Sequence, residues 1–255
     1  MNYVFRLLFV AFVFVGCSNE PSLTFSSEVF TEENLEICKT EFCSPVSINY
    51  VKATGDAAIS EKINSEINTY IIDALFLGED DEPSAKDIPQ ATTQFILAYR
   101  DHQPDLPTNL DFGGYEAEIN AEITHQTETL VCVEFHSYLF TGGAHGYGGT
   151  TFIMFDIETG ERMSIENLFE DVPRFEAFAE KAFKKAYDIP LSDNINASGF
   201  WFDDDQFYLP EAVGIRENNL VLIYNAYEIS SYAAGPIALE IPLDEIESYL
   251  NDDLI

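Results

Sequence analysis

Tyr115, Ala117, Ile119, Ala121 and Ile123 alternate with Glu116, Glu118, Asn120, Glu122 and Thr124. Side chains along a strand point to opposite faces in turn, so this period of two commits the segment to a strand with one face buried and one solvated. Gln126-Thr127-Glu128 then turns the chain into a denser run, Thr129–Phe140, and the two read as an antiparallel hairpin. Upstream, Ser44–Ala53 alternates as another strand. Asp56 is placed to cap a helix in which Ile59, Ile63, Ile67, Tyr70, Ile71, Ala74 and Leu75 recur every three to four residues. That stripe fits against a sheet. Ala85–His102 repeats the pattern with Ile88, Ala91, Phe95 and Tyr99, and Gln103–Gly114 is a connector rich in proline and glycine.

The second half mixes elements without strict alternation. Thr150–Glu158 reads as a strand ending in the turn Glu158-Thr159-Gly160, and Asn167-Leu168-Phe169 closes a short segment. Pro173 opens a helix with Phe175, Phe178, Ala179, Ala182, Phe183 and Ala186 on its apolar side. Phe207–Ile215 and Leu220–Tyr227 form a second hairpin across Glu217-Asn218-Asn219. Ile237–Ile241 is a last strand, and Asp244 caps a closing helix over Glu245–Leu250. The expected class is α+β: antiparallel sheets packed against a few helices, in two linked αβ modules.

Charge narrows the partners. The 255 residues hold 45 Asp and Glu against 12 Lys and Arg, a formal charge of −33, while 46% are hydrophobic, enough to fold. Such a body repels nucleic-acid phosphates and anionic lipid surfaces, and it attracts cationic partners from a distance.

Residues 1–16 form a leader, with Arg6 ahead of the apolar run Leu7–Val15, which is too short to span a bilayer. Val15-Gly16-Cys17 resembles the end of a bacterial lipobox, with Phe14 where an aliphatic residue is usual. Cleavage there makes Cys17 the lipidated N-terminus, removes Arg6 and leaves the body one unit more negative. Ser18, rather than Asp, follows the cysteine, which favours the outer over the inner membrane. Residues 17–43 are expected to be a tether and a cysteine loop, in which Cys38 and Cys43 form a local disulfide in an oxidising compartment. Free thiols and a metal site are the alternatives, and no histidine neighbours the pair. Cys132 lies in the apolar run Leu130–Phe135 and reads as a buried strand residue.

Thr141-Gly142-Gly143-Ala144-His145-Gly146 is the most unusual stretch. A glycine-rich loop cradles phosphate where it leads into a helix, and this one leads into a strand, so a crowded crossover with His145 fixed by hydrogen bonds is expected. His145 is the one candidate base or ligand. His102, His125 and His136 lack metal-type spacing. Asp203-Asp204-Asp205 lacks the alternating ligands of a calcium loop and reads as a solvated turn. Trp201, Tyr224, Tyr227 and Tyr232 are candidates for stacking on sugar rings. No catalytic residue, cofactor or metal site emerges.

Three ordered pieces together resemble one family. Tyr138–Gly146 carries the TGGAH signature of the extracytoplasmic domain of RsiV-type anti-sigma factors. Phe155–Glu161 followed by Asn167-Leu168-Phe169 is similar to that family's strand, turn and LF element. Tyr227-Glu228-Ile229-Ser230-Ser231-Tyr232-Ala233-Ala234-Gly235-Pro236 resembles its YEIAPYAAGP segment, departing at Ser230 and Ser231. Ahead of these, Ile48-Asn49-Tyr50 and Ile63-Asn64 resemble the companion domain that precedes the catalytic domain of the peptidoglycan deacetylase PdaC. The resemblance divides the chain into a PdaC-type module over 44–140 and an RsiV-like module over 141–255. It implies a non-catalytic envelope module, and with the lipobox-like leader the expectation is a lipid-anchored protein that binds a cationic protein such as lysozyme, or a peptidoglycan fragment, with Tyr227, Tyr232 and Gly235 as motif residues beside the 141–146 loop. The competing expectations are an envelope-polymer hydrolase or deacetylase-like enzyme using His145 with carboxylates near Asp203–Asp205, and a purely structural lipoprotein.

Overall fold

The computed structural model describes residues 23–78, 82–103 and 114–251. The expected leader, Cys17 and the tether through Ser22 lie outside the described residues, as does most of the Gln103–Gly114 connector.

Five strands form the first sheet in sequence order: β1 (Thr24–Thr31), β2 (Val46–Thr54), β3 (Glu116–Gln126), β4 (Leu130–Phe140) and β5 (Tyr147–Asp156). Neighbours are antiparallel except β2 and β3, which run parallel because two helices carry the chain back between them. Helix α1 (Ala57–Leu75) starts where expected, with the Asp56 carboxylate accepting from the Ala58 and Ile59 N–H groups at 2.9 and 3.1 Å. Helix α2 (Ile88–His102) is capped by Asp87, with proline in its first turn. Both cover one face of the sheet, where Ile63, Ile67, Ile71, Ile88 and Phe95 bury Ile119, Val133, Phe135, Ile153 and Phe155.

Two boundaries differ from the expectation. The stretch expected to be tether contains β1, an edge strand whose eight residues all pair with β2. The first sheet also runs on past residue 140, because β5 pairs with β4 from Leu139↔Tyr147 to Leu130↔Asp156. The 141–146 loop is therefore the end of a hairpin between adjacent strands, not a crossover. The Cys38–Cys43 disulfide is present, in the connection from β1 to β2.

The rest of the chain lies on the opposite face of β4 and β5. After the short α3 (Ile165–Leu168), α4 (Val172–Ala186) is capped by Asp171 and buries Phe175, Ala179 and Phe183. These pack against an antiparallel three-stranded sheet of β6 (Ala212–Arg216), β7 (Asn219–Tyr224) and β8 (Ile237–Pro242). The closing helix begins earlier than expected: α5 spans Leu243–Ile246 and continues as a 3-10 turn over Glu247–Tyr249. β8 leads straight into it, so Pro242 takes the cap and Asp244 falls in the first turn, where its charge suits the helix N-terminus. Among the described residues, no helix is long and apolar enough to cross a membrane.

The outer edge of β6 abuts the first sheet. Thr124 Oγ1 donates to the Ile215 carbonyl at 2.7 Å, the Ile215 N–H donates to Cys132 Sγ at 3.3 Å, and the Glu217 N–H donates to the Thr124 carbonyl at 3.0 Å. Burial pushes the Cys132 thiol up, as expected of a strand residue in the core. Gly214 lies so close to the Phe152 ring that a Cβ would not fit.

Candidate functional site

The two most specific sequence motifs, 141–146 and 227–236, meet. His145 stacks on Tyr232 with ring centroids 3.9 Å apart, and Tyr227 lies against the other ring at 5.6 Å. The Gly146 carbonyl anchors the cluster, lying 2.9 Å from His145 Nδ1 and accepting from the Tyr232 hydroxyl at 2.9 Å. A carbonyl only accepts, so Nδ1 carries the proton and Nε2 of the neutral ring presents its lone pair toward the Tyr227 hydroxyl, 3.5 Å away. The cluster is open to solvent: Tyr227 is 54% exposed.

Local backbone chemistry makes this arrangement. Gly142 and Gly143 adopt φ of 97° and 93° with nothing near their Cβ positions, so the hairpin uses them for their conformation. Gly146 answers a different need, because the Tyr138 ring occupies the place of a Cβ there. Gly235 sits at φ 71°, ψ −170°, a region open essentially to glycine alone, which accounts for its place in the motif. Thr141 and Ala144 are exposed and complete the loop.

Tyr227 itself has φ 74°. It is the third residue of a turn closed by the Glu228 N–H on the Asn225 carbonyl at 3.1 Å, a position where positive φ usually selects glycine or asparagine. Asn225 braces this turn. Its Oδ1 accepts from the Thr150 N–H at 2.8 Å and its Nδ2 donates to the Thr150 carbonyl at 3.0 Å. The Glu228 carboxylate accepts from the Asn225 N–H at 2.7 Å. Burial pushes the Glu228 carboxyl above the ordinary range; the Asn225 N–H offsets part of this, and the Glu211 charge adds to it while the Glu211 backbone lowers it.

β4 carries a buried charge. Glu134 is 1% exposed and takes a two-pronged bond from Arg216, Nε to Oε2 at 3.1 Å and a terminal nitrogen to Oε1 at 2.6 Å. This hydrogen bonding raises the Arg216 pKa further. His136 Nε2 lies 2.9 Å from the same Oε1. Sequence reasoning missed Glu134, Arg216 and Asn225, although a glutamate in the apolar run Leu130–Phe135 was the signal that a partner must reach it.

The other candidates fall elsewhere. Tyr224 is fully buried in the second core and offers no stacking face, while Trp201 is exposed and its backbone N–H donates to the Ile229 carbonyl at 2.9 Å. Asp203–Asp205 form an exposed 3-10 turn in which Asp205 accepts from Asn196, and among the described residues no hydrogen bond joins them to His145. His102 pairs with Tyr115, and His125 with the Glu217 carbonyl. Among the described residues, no group of three His, Cys, Asp or Glu side chains is placed to hold a metal ion.

Residues 37–147 match the family described as Deacetylase PdaC, and residues 166–244 match the family described as Protein of unknown function (DUF3298). The resemblance read from the motifs therefore holds, with the PdaC-type region first. No curated protein matches the chain. A crystal structure of a member of the DUF3298 family from Bacteroides fragilis aligns with a TM-score of 0.68 at 20% identity, covering 92% of this chain and 96% of its own. A DUF3298 family protein from Pseudomonas aeruginosa aligns at 0.60 and 20% identity, covering 94% and 99%. At that identity the likeness shows the fold. The ring cluster straddles the two matched regions: His145 comes from the first, Tyr227 and Tyr232 from the second.

Proposed function

We propose that this chain is a lipid-anchored envelope protein whose body binds a macromolecular ligand without catalysis, through the His145–Tyr232–Tyr227 cluster. The ligand is a cationic protein such as lysozyme, or a peptidoglycan fragment. The observation that carries the reading is the meeting of two motifs, about eighty residues apart, at a solvent-open ring stack held by one backbone carbonyl and a strained turn. Exposed aromatic faces in a rigid frame suit stacking on sugar rings or on cationic side chains. His145 is held as part of the stack, with the Gly146 carbonyl on Nδ1 and the Tyr227 hydroxyl facing Nε2.

Strand geometry supports an outward-facing site. β1 begins at Thr24, opposite Thr54, while the 141–146 loop adjoins Phe140, opposite Glu116 at the start of β3. Because β2 and β3 run parallel with Val46↔Ala117, the loop lies at the end of the sheet away from Thr24. A lipid on Cys17, in the periplasmic leaflet of the outer membrane, would hold the Thr24 end near the membrane and leave the ring cluster at the far end.

Two measurements test the reading. Calorimetric titration of the mature chain with a basic lysozyme at about 50 and 300 mM salt separates specific contact from charge attraction, which fades as the Debye length shrinks. Affinity retained at the higher salt and lost in Tyr227→Ala is expected; affinity that vanishes with salt turns the search to peptidoglycan fragments, and failure of both sinks the reading. Labelled palmitate should enter the wild type and not Cys17→Ala.

A further inference from the structure

The turn that carries Tyr227 is tied to the seam between the two sheets by an unbroken chain of hydrogen bonds. Arg216 on β6 grips the buried Glu134 of β4. A carboxylate only accepts, so His136 Nε2 carries the proton it shares with Glu134 at 2.9 Å. In the neutral ring, His136 Nδ1 then accepts, and the Thr150 hydroxyl 3.1 Å away donates to it. Thr150 in turn is clamped at both backbone groups by the Asn225 side chain. Asn225 opens the turn in which Tyr227 holds its left-handed backbone.

Edge position explains why the clamp matters. β5 is the last strand of the first sheet, and among the described residues no further strand pairs with its Thr150. The Asn225 amide, with one donor and one acceptor side by side, takes the place of that strand. It thereby joins the second sheet's turn to the first sheet's hairpin, and on the same hairpin His145 stacks on Tyr232. A residue elsewhere does the same without a site: the Asn64 amide of α1 accepts from the Ala53 N–H at 2.8 Å and donates to its carbonyl at 2.9 Å.

We infer that Asn225 is a positioning residue for the ring cluster, and that the Arg216–Glu134–His136–Thr150 chain holds the strand it grips. What the cluster binds rests on the function proposed above; the positioning does not, because it has a readout without ligand. Charged groups facing this chain are Glu122 across from Glu134, Glu240 beside Arg216, and Glu211 and Glu228 at the turn.

The test is the proton spectrum of the His145 ring in the mature chain at fixed pH, since the stacked Tyr232 ring displaces those resonances from free-imidazole values. Asn225→Ala should lose more than about half of the displacement, as the stack opens. Asn225→Asp should lose a similar share, because it keeps the bond from the Thr150 N–H but sets an oxygen against the Thr150 carbonyl. Asn64→Ala, which removes an equivalent clamp from α1, should leave the displacement intact. An unchanged His145 spectrum in folded Asn225→Ala overturns the inference, and so does an equal change in Asn64→Ala. If Asn225→Ala does not fold, His136→Ala decides: its solvent-open ring can be removed, and the displacement should fall, with no change counting against the chain. Titration with basic lysozyme follows. Wild type that fails to bind refutes the proposed ligand while the ring spectrum still judges the positioning.

Discussion

Asn64 and Asn225 make the same pair of hydrogen bonds in two halves of the molecule, and what surrounds them differs. Asn64 projects from α1, a 19-residue helix with an aliphatic stripe of Ile63, Ile67, Ile71 and Leu75 buried behind it. Asn225 stands at the end of a six-residue strand, ahead of a tyrosine in left-handed backbone. Behind it lies a core of rings: Phe183 meets Tyr187, Phe200, Phe202, Phe207 and Tyr224 at centroid distances of 4.5–5.8 Å. The first half is a regular frame in which a clamp adds security. The second is assembled from loops around an aromatic hub, and there a clamp sets where functional side chains stand.

The hub offers the largest test of that contrast. Phe183→Ala removes one ring from five contacts and leaves a cavity that edge-to-face neighbours cannot close, so a loss of about 4–5 kcal/mol is expected. Ile67→Ala, equally buried, should cost nearer about 3 kcal/mol because flexible aliphatic neighbours relax into the space. Urea denaturation of both variants decides. Equal losses would mean that ring geometry adds nothing and that the two cores differ only in composition.

The same contrast explains what the amino-acid pattern reveals. Periodicity exposed α1, α2, α4 and the β3–β4 hairpin because each buries one regular face. It missed β1, where Phe25 and Phe30 are both half-buried yet stand an odd number of residues apart. Its partner β2 shows why: the buried positions change parity between Ile48 and Val51. Phe200, Phe202 and Phe207 belong to irregular segments that carry no period at all. The motifs of the site were readable one at a time. Their meeting was not, since it depends on β5 closing the first sheet and on Asn225 finding that edge.

The seam between the halves comes next in size. Arg216→Ala strands the Glu134 carboxylate, 1% exposed, with His136 beside it, and should cost about 3 kcal/mol. Glu134→Gln with Arg216 retained should cost less, because the side chain stays neutral and keeps an acceptor. Thermal unfolding of the pair ranks them. If Arg216→Ala is silent, apolar contact and the remaining hydrogen bonds hold the two halves together, and the ion pair does not separate frame from site.

Tyr227→Gly sharpens the comparison at a point where stability and binding should part. Glycine relieves a left-handed backbone that costs a tyrosine about 1–2 kcal/mol, and it forfeits a ring contact worth about 0.5–1.5 kcal/mol. Stability should therefore stay within about 1 kcal/mol of wild type, while ligand affinity at the cluster falls at least about tenfold. A variant that unfolds would show that Tyr227 is part of the core and not of a surface for recognition.

The smallest expected effect has a sign set by titration. The Glu228 carboxyl is raised chiefly by burial, so the fold favours its protonated form. Its contribution is fully present below the unfolded pKa of about 4.3 and is lost as pH rises through the higher folded value. At neutral pH the ionised side chain thus works against the turn it braces, tempered by solvent because the group is only partly covered. Glu228→Gln keeps an acceptor for the Asn225 N–H and removes the charge. It should be more stable than wild type by about 0.5 kcal/mol at pH 7, after allowance for screening, with the gain gone near pH 3–4. Urea midpoints across that range give the answer. A gain that persists in acid would place its origin in the neutral contacts of the turn, and a loss at pH 7 would mean that the charged bond to Asn225 outweighs the burial of Glu228.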